Sequence, residues 1–91
     1  MRQAHLRAQR FARVQVAEMR LYRPQDVASG RARRDIYGAL RETVDLAREA
    51  YRSQFLSALP GMTDYLHEEL LHTLANDDAT LLGPLYPGPL A

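Results

Sequence analysis

The chain reads as all-α: a small antiparallel three-helix bundle with an extended, proline-rich C-terminal tail, assembled as a dimer. Two observations predict the class. Residues 35–59 carry apolar side chains at Ile36, Leu40, Val44, Ala47, Tyr51, Phe55 and Ala58. These steps of three and four cover an arc of about 100° on a helix. Proline and glycine punctuate the chain at Pro24, Gly30, Pro60-Gly61 and from Gly83 onward, and the short connections they imply favour antiparallel neighbours.

The first helix spans about 4–23 and is closed by Pro24. Arg2, Arg10, Arg13 and Arg20 share one face with Ala17, while Ala8, Phe11, Ala12, Val14, Met19, Leu21 and Tyr22 spread over the other. Glu18 falls inside that apolar arc. It therefore meets an arginine from another helix or reaches solvent at the edge of the arc, since unpaired burial of a carboxylate is costly. Residues 25–29 form a short turn of helix with Pro24 at its start, Gly30 at its end and Val27 as its anchor. The central helix spans about 33–59. Its outer face holds Arg41, Glu42, Asp45, Arg48, Glu49 and Arg52, with opposite charges paired at helical spacing. A second, smaller stripe (Ala39, Leu46, Ala50) lies beside the first, which suits two packing neighbours.

After Pro60-Gly61, Thr63 is the N-cap of a third helix over about 63–76, with Asp64 in its first turn. Met62, Leu66, Leu70, Thr73 and Leu74 form its buried side. Asp78 caps a further turn at 79–82, ended by Gly83. The tail, 83–91, holds three prolines with Leu85, Tyr86 and Leu90. It is extended, partly polyproline II, and lies against its own helices or a partner.

The 91 residues make one domain, 1–91. A 25-residue helix is about 37 Å long, whereas a compact chain of this size is about 31 Å across. Either the ends of the central helix protrude or a second copy covers them, and a symmetric dimer is favoured.

Composition excludes several classes. There is no cysteine, hence no disulfide framework, thiolate zinc site or cysteine nucleophile. No apolar run reaches the roughly 18 residues of a membrane span, and the N-terminus lacks the pattern of a signal peptide. A cytoplasmic protein is expected. The net charge of +1 hides an asymmetry: residues 1–34 hold nine arginines against Glu18 and Asp26, and residues 35–91 hold three arginines against nine acids. All twelve basic residues are arginine. That reflects either selection for bidentate contacts with carboxylate or phosphate or a GC-rich genome.

Catalytic chemistry finds no support. His67-Glu68-Glu69-Leu70-Leu71-His72 resembles the zinc motif H-E-x-x-H, but its histidines are five apart and face different sides of a helix. Glu69 and His72 have the Glu-x-x-His spacing of di-iron bundles, and a dimer would supply two copies, though the facing glutamates that such a site needs are wanting. His67, beside Leu71 and Leu74, reads as a hydrogen-bonded structural histidine. Ser29, Ser53 and Ser57 lack a His and Asp arrangement, and no glycine-rich phosphate loop is present. Asp77-Asp78 is a capping pair. No enzyme activity and no cofactor are expected.

Residues 10–31 (RFARVQVAEMRLYRPQDVASGR), 35–51 (DIYGALRETVDLAREAY), 64–83 (DYLHEELLHTLANDDATLLG) and 84–89 (PLYPGP) resemble a helical domain of bacterial proteins. That domain lies at the C-terminal ends of larger proteins beginning with a small zinc ribbon or another regulatory module, in Acidobacteria, Myxococcota and Gemmatimonadota. The resemblance covers roughly 5–90 and carries no catalytic role. It implies an accessory or interaction domain, and the ribbon with its cysteines is not among these residues.

The expected function is thus a non-catalytic protein–protein interaction and oligomerisation module, an accessory subunit or regulatory domain of a bacterial assembly. Its partner, another protein or a second copy, is met by Arg10, Arg13, Arg20, Leu85, Tyr86 and Leu90. The alternative is a nucleic-acid surface of Arg2, Arg10, Arg13, Arg20, Arg31, Arg33 and Arg34, neutralising phosphates. A dimer-assembled metal site at Glu69 and His72 is the third.

Overall fold

The computed structural model describes residues 2–90. Among them are five α-helices and no strand: α1 (Arg2–Tyr22), α2 (Pro24–Arg33), α3 (Ile36–Ala39), α4 (Arg41–Tyr51) and α5 (Tyr65–Glu69). Helix α4 runs on into a wide π turn at Arg52–Leu56, α5 into another at Leu70–Leu74, and a 3₁₀ turn occupies Ala79–Leu82. The radius of gyration, 12.6 Å, is close to the value of about 12 Å expected for a compact chain of this length.

Helix α1 buries Ala4, Ala8, Ala12, Val16 and Met19. The three alanines let neighbouring helices approach closely, and both α4 and α5 pack on α1. The expected apolar arc is therefore rotated. Val14, Leu21 and Tyr22 face solvent, and Glu18 is exposed with them, so it needs no buried arginine.

The expected short turn at 25–29 is a ten-residue helix, α2. Gly30 does not end it. A Cβ there would lie 2.8 Å from the Cα of Ile36, so glycine is what lets α2 lie against α3. The helix ends at Arg34 instead, in the left-handed region at φ 55°, where its guanidinium meets Thr80 and Asp78.

The expected central helix, 33–59, is divided. Asp35 caps α3 by accepting from the Gly38 N–H at 2.9 Å. At Leu40 the backbone turns to φ −120°, ψ 23°, before α4 begins. Leu40 is fully buried, and Leu40 N–H still donates to Ile36 O while Val44 N–H donates to Leu40 O. The apolar stripe thus continues across a kink that bends the helix around the core. With the helix divided, its length no longer argues for a second copy.

Tyr51 locks the loop after α4. Its side chain is fully buried, and its hydroxyl donates to Thr63 O at 2.6 Å and accepts from Tyr65 N–H at 3.1 Å. Phe11 and Phe55 pack around the ring, with centroids 6.1 and 5.1 Å away. Asp64, not Thr63, is the N-cap of α5: it accepts from His67 N–H at 2.9 Å.

Burial pushes the Tyr51 phenol up to about 12, and does the same for Tyr86. An unfolded phenol ionises near 10. Both groups therefore support the fold fully below pH 10, and that support is lost as pH rises through about 12. Stability should fall steadily over this interval in an alkaline titration followed by circular dichroism and phenolate absorbance. Tyr51→Phe should flatten the dependence.

Candidate interaction surface

The residue that follows α1 meets α4, and α1 meets the wide turn that follows α4. Arg23 reaches Thr43 at 3.4 Å, and Phe11 packs on Phe55 with centroids 5.5 Å apart. On the other flank of α1, His5 bonds Tyr65 at 2.8 Å. With Ala4, Ala8 and Ala12 facing inward, the exposed residues of α1 include Leu6, Arg10, Val14, Ala17 and Leu21, with Tyr22 at the end. On α4 the exposed residues are Arg41, Glu42, Asp45, Leu46 and Glu49.

This outer face is unusually apolar. Leu21 is 68% exposed, Tyr22 70% and Leu46 69%, and Leu6 and Val14 are about half exposed. Among the described residues, five of the six large exposed apolar side chains lie on these two helices, a concentration of the kind that marks interaction sites. Leu85 is the sixth, at 67% on the tail. A shallow groove of about 310 Å³ runs beside the face, lined by Gln15, Glu18, Tyr22 and Thr43.

Charge is distributed unequally across it. Arg2, Arg10, Arg13 and Arg20 are exposed on α1, and Glu42 and Glu49 on α4. None of these makes an ion pair among the described residues, where the pairs are Arg23–Asp26, Arg34–Asp78 and His72–Asp77. Arg13 stands on the α5 side of α1, where it lines a cleft with Glu68 and Glu69.

The remaining sequence candidates are engaged within the chain. Arg31 is half-buried, and its Nε and Nη2 donate to Leu74 O at 2.8 Å and Thr73 O at 3.0 Å. It satisfies carbonyls that the wide turn ending α5 leaves without partners, and places a cation at a helix C-terminus. Arg31→Met should lower stability by about 1.5–3 kcal/mol, measured by urea unfolding. Faster amide exchange should accompany it across 70–75. Arg34 is held by Thr80 and Asp78, whereas Arg33 is exposed.

The tail folds back on its own helices. Tyr86 stacks on His67 at 5.6 Å and meets Tyr37 edge-on at 5.9 Å, with the Arg48 guanidinium 5.4 Å from its ring. Its hydroxyl lies 2.7 Å from His67 Nδ1. Arg48 donates to Gly88 O at 2.6 Å, and Leu90 N–H donates to Asp64 Oδ2 at 2.6 Å. Tyr86 and Leu90 are thereby partly buried against the core, and of the three tail candidates Leu85 is the one left open.

Glu69 and His72 line a polar cleft of about 250 Å³ with Gln9, Arg13, Tyr65 and Glu68. Glu69 accepts from the Thr73 hydroxyl at 2.8 Å. His72 pairs with Asp77, whose carboxylate raises the imidazole above its ordinary value. No group of three or more acidic or histidine side chains able to hold a metal occurs among the described residues. No described helix is long and apolar enough to cross a membrane.

Comparison with protein-family models, curated proteins and solved structures gives no match.

Sequence reasoning placed Arg10, Arg13 and Arg20 on an open face, as they stand. Glu42 and Glu49 stand exposed on the outer face it assigns to the central helix, whereas it does not find Val14, Leu21 and Tyr22 as surface residues. The signal that would have found them is Ala4-Ala8-Ala12, a small-residue stripe at i, i+4 marking the side of closest helix approach.

Proposed function

We propose that the chain is a non-catalytic protein–protein interaction module that self-associates, an accessory or regulatory element of a cytoplasmic bacterial assembly. The observation that carries this reading is the exposed apolar face on α1 and α4, with Leu21, Tyr22 and Leu46 each about two-thirds uncovered. Leaving these apolar side chains in water is unfavourable by roughly 25 cal/mol per Å², and a protein partner removes that exposure. The resemblance to a C-terminal domain of bacterial zinc-ribbon and regulatory proteins points the same way. The underlying architecture is an up–down–up bundle of α1, the α3–α4 unit and α5, supported by the Phe11–Phe55 and His5–Tyr65 contacts. Light scattering on the purified chain tests the reading: a dimer at high micromolar concentration supports it, and a strict monomer counts against it.

The alternative, a nucleic-acid surface, keeps Arg2, Arg10, Arg13, Arg20 and Arg33 on the outside. It draws less on Arg31 and Arg34, which serve the fold. This reading requires binding that weakens steeply with salt. No shift of DNA or RNA at low salt would remove it.

A further inference from the structure

This inference rests on the interaction reading and adds the geometry of the partner. We propose that a second copy seats on the α1–α4 face about a two-fold axis parallel to the helices, so that α1 of each chain lies over α4 of the other.

Two helix pairs meeting face to face have two symmetric solutions. An axis perpendicular to the helices lays α1 on the partner's α1 and α4 on the partner's α4. That brings arginine against arginine and glutamate against glutamate, which is unfavourable across an interface. An axis parallel to the helices exchanges the two positions. The arginine flank of α1 then faces the partner's α4, where the acids Glu42, Asp45 and Glu49 outnumber Arg41 among the exposed charges, twice by symmetry.

The register within one chain makes the match specific. A rotation about an axis parallel to the helices leaves the level of every residue along that axis unchanged. The contacts of Arg23 with Thr43 and of Phe11 with Tyr51 and Phe55 set Arg13 nearly level with Glu49, and Arg20 nearly level with Glu42. Leu46 falls between Val14 and Leu21. In the parallel-axis dimer, Arg13 and Arg20 therefore come beside the partner's Glu49 and the partner's Glu42. Leu46 closes onto the partner's Leu21 and the partner's Val14 between them. These charges have no ion-pair partner within the chain among the described residues. An apolar centre flanked by opposite charges is what one copy offers the other.

Charge reversal separates the two geometries. Arg13→Glu with Arg20→Glu should raise the dimer dissociation constant on the order of a hundredfold at low salt. Adding Glu42→Arg and Glu49→Arg to that chain should bring it back within about tenfold of the original, because opposite charges face each other again. All four positions are exposed, and circular dichroism checks that each variant folds. A wild-type chain that stays monomeric overturns this inference and the self-association reading together. A wild-type dimer that the double variant leaves intact, or that the fourfold variant fails to recover, overturns the geometry alone.

Discussion

Replacing Asp64 with alanine should destabilise the protein by about 2–4 kcal/mol and release the end of the tail. Its carboxylate is 6% exposed and holds two backbone N–H groups at once, that of His67 at 2.9 Å and that of Leu90 at 2.6 Å. Losing a helix N-cap costs about 1 kcal/mol. Leaving the second buried donor without a partner adds about 1–3 kcal/mol. Urea unfolding gives the first quantity. Proteolytic cleavage between Gly83 and Leu90, faster in Asp64→Ala than in the parent, gives the second. A variant with a parental midpoint and an uncut tail would mean that Tyr86, stacked on His67, holds the segment alone.

The second large effect falls on association and spares stability. Leu21→Arg combined with Leu46→Arg should abolish self-association, while the unfolding midpoint of the isolated chain stays within about 0.5 kcal/mol, as expected for exposed positions. The two leucines are 68% and 69% exposed, so they contribute little to the chain's own core. In the complex they lie at the centre of the buried face, where truncation or charge is most costly. Concentration-dependent molar mass read beside unfolding curves separates these effects. Loss of stability with unchanged mass would place both residues in the fold and not in an interface.

Much of the helical content was legible from period alone. The run Ile36-Leu40-Val44-Ala47-Tyr51-Phe55 is buried, as its spacing requires, whereas Ala58, the last residue of the expected stripe, is exposed beyond the wide turn that ends at Leu56. Its division at Leu40 was not legible, because a kink that keeps each side chain on the same face leaves the periodicity intact. Gly30 illustrates the opposite failure. Glycine near the end of a helix reads as a stop signal, yet here it is buried beneath Ile36, a contact between segments that local chemistry does not encode. Thr63 and Asp64 are both competent N-caps, and position in three dimensions chose Asp64, where the tail also reaches it.

The candidate surface was half legible. Arginine positions follow directly from helix geometry and stand exposed where the wheel puts them. The rotation of α1 does not, because it depends on which neighbours come closest. An arc drawn by hydrophobicity favours Val14, Leu21 and Tyr22, whereas packing favours the small side chains of Ala4, Ala8 and Ala12. The same substitution of small for large that fills the core leaves the large residues outside, and the apolar face follows from it. Tyr86 and Leu90 were expected to meet either the chain's own helices or a partner. The choice was made by Arg48, His67 and Asp64 from two different helices and a cap.

The central claim is that the outer face of α1 and α4 is an interface, and hydroxyl-radical footprinting across a concentration series tests it most directly. Leu85, at 67% exposure, is an internal control matched to Leu46 at 69%. The account predicts that Leu21, Tyr22 and Leu46 become progressively protected from oxidation as concentration rises, while Leu85 on the tail stays equally reactive. Parallel oxidation of Leu46 and Leu85 at every concentration would contradict it.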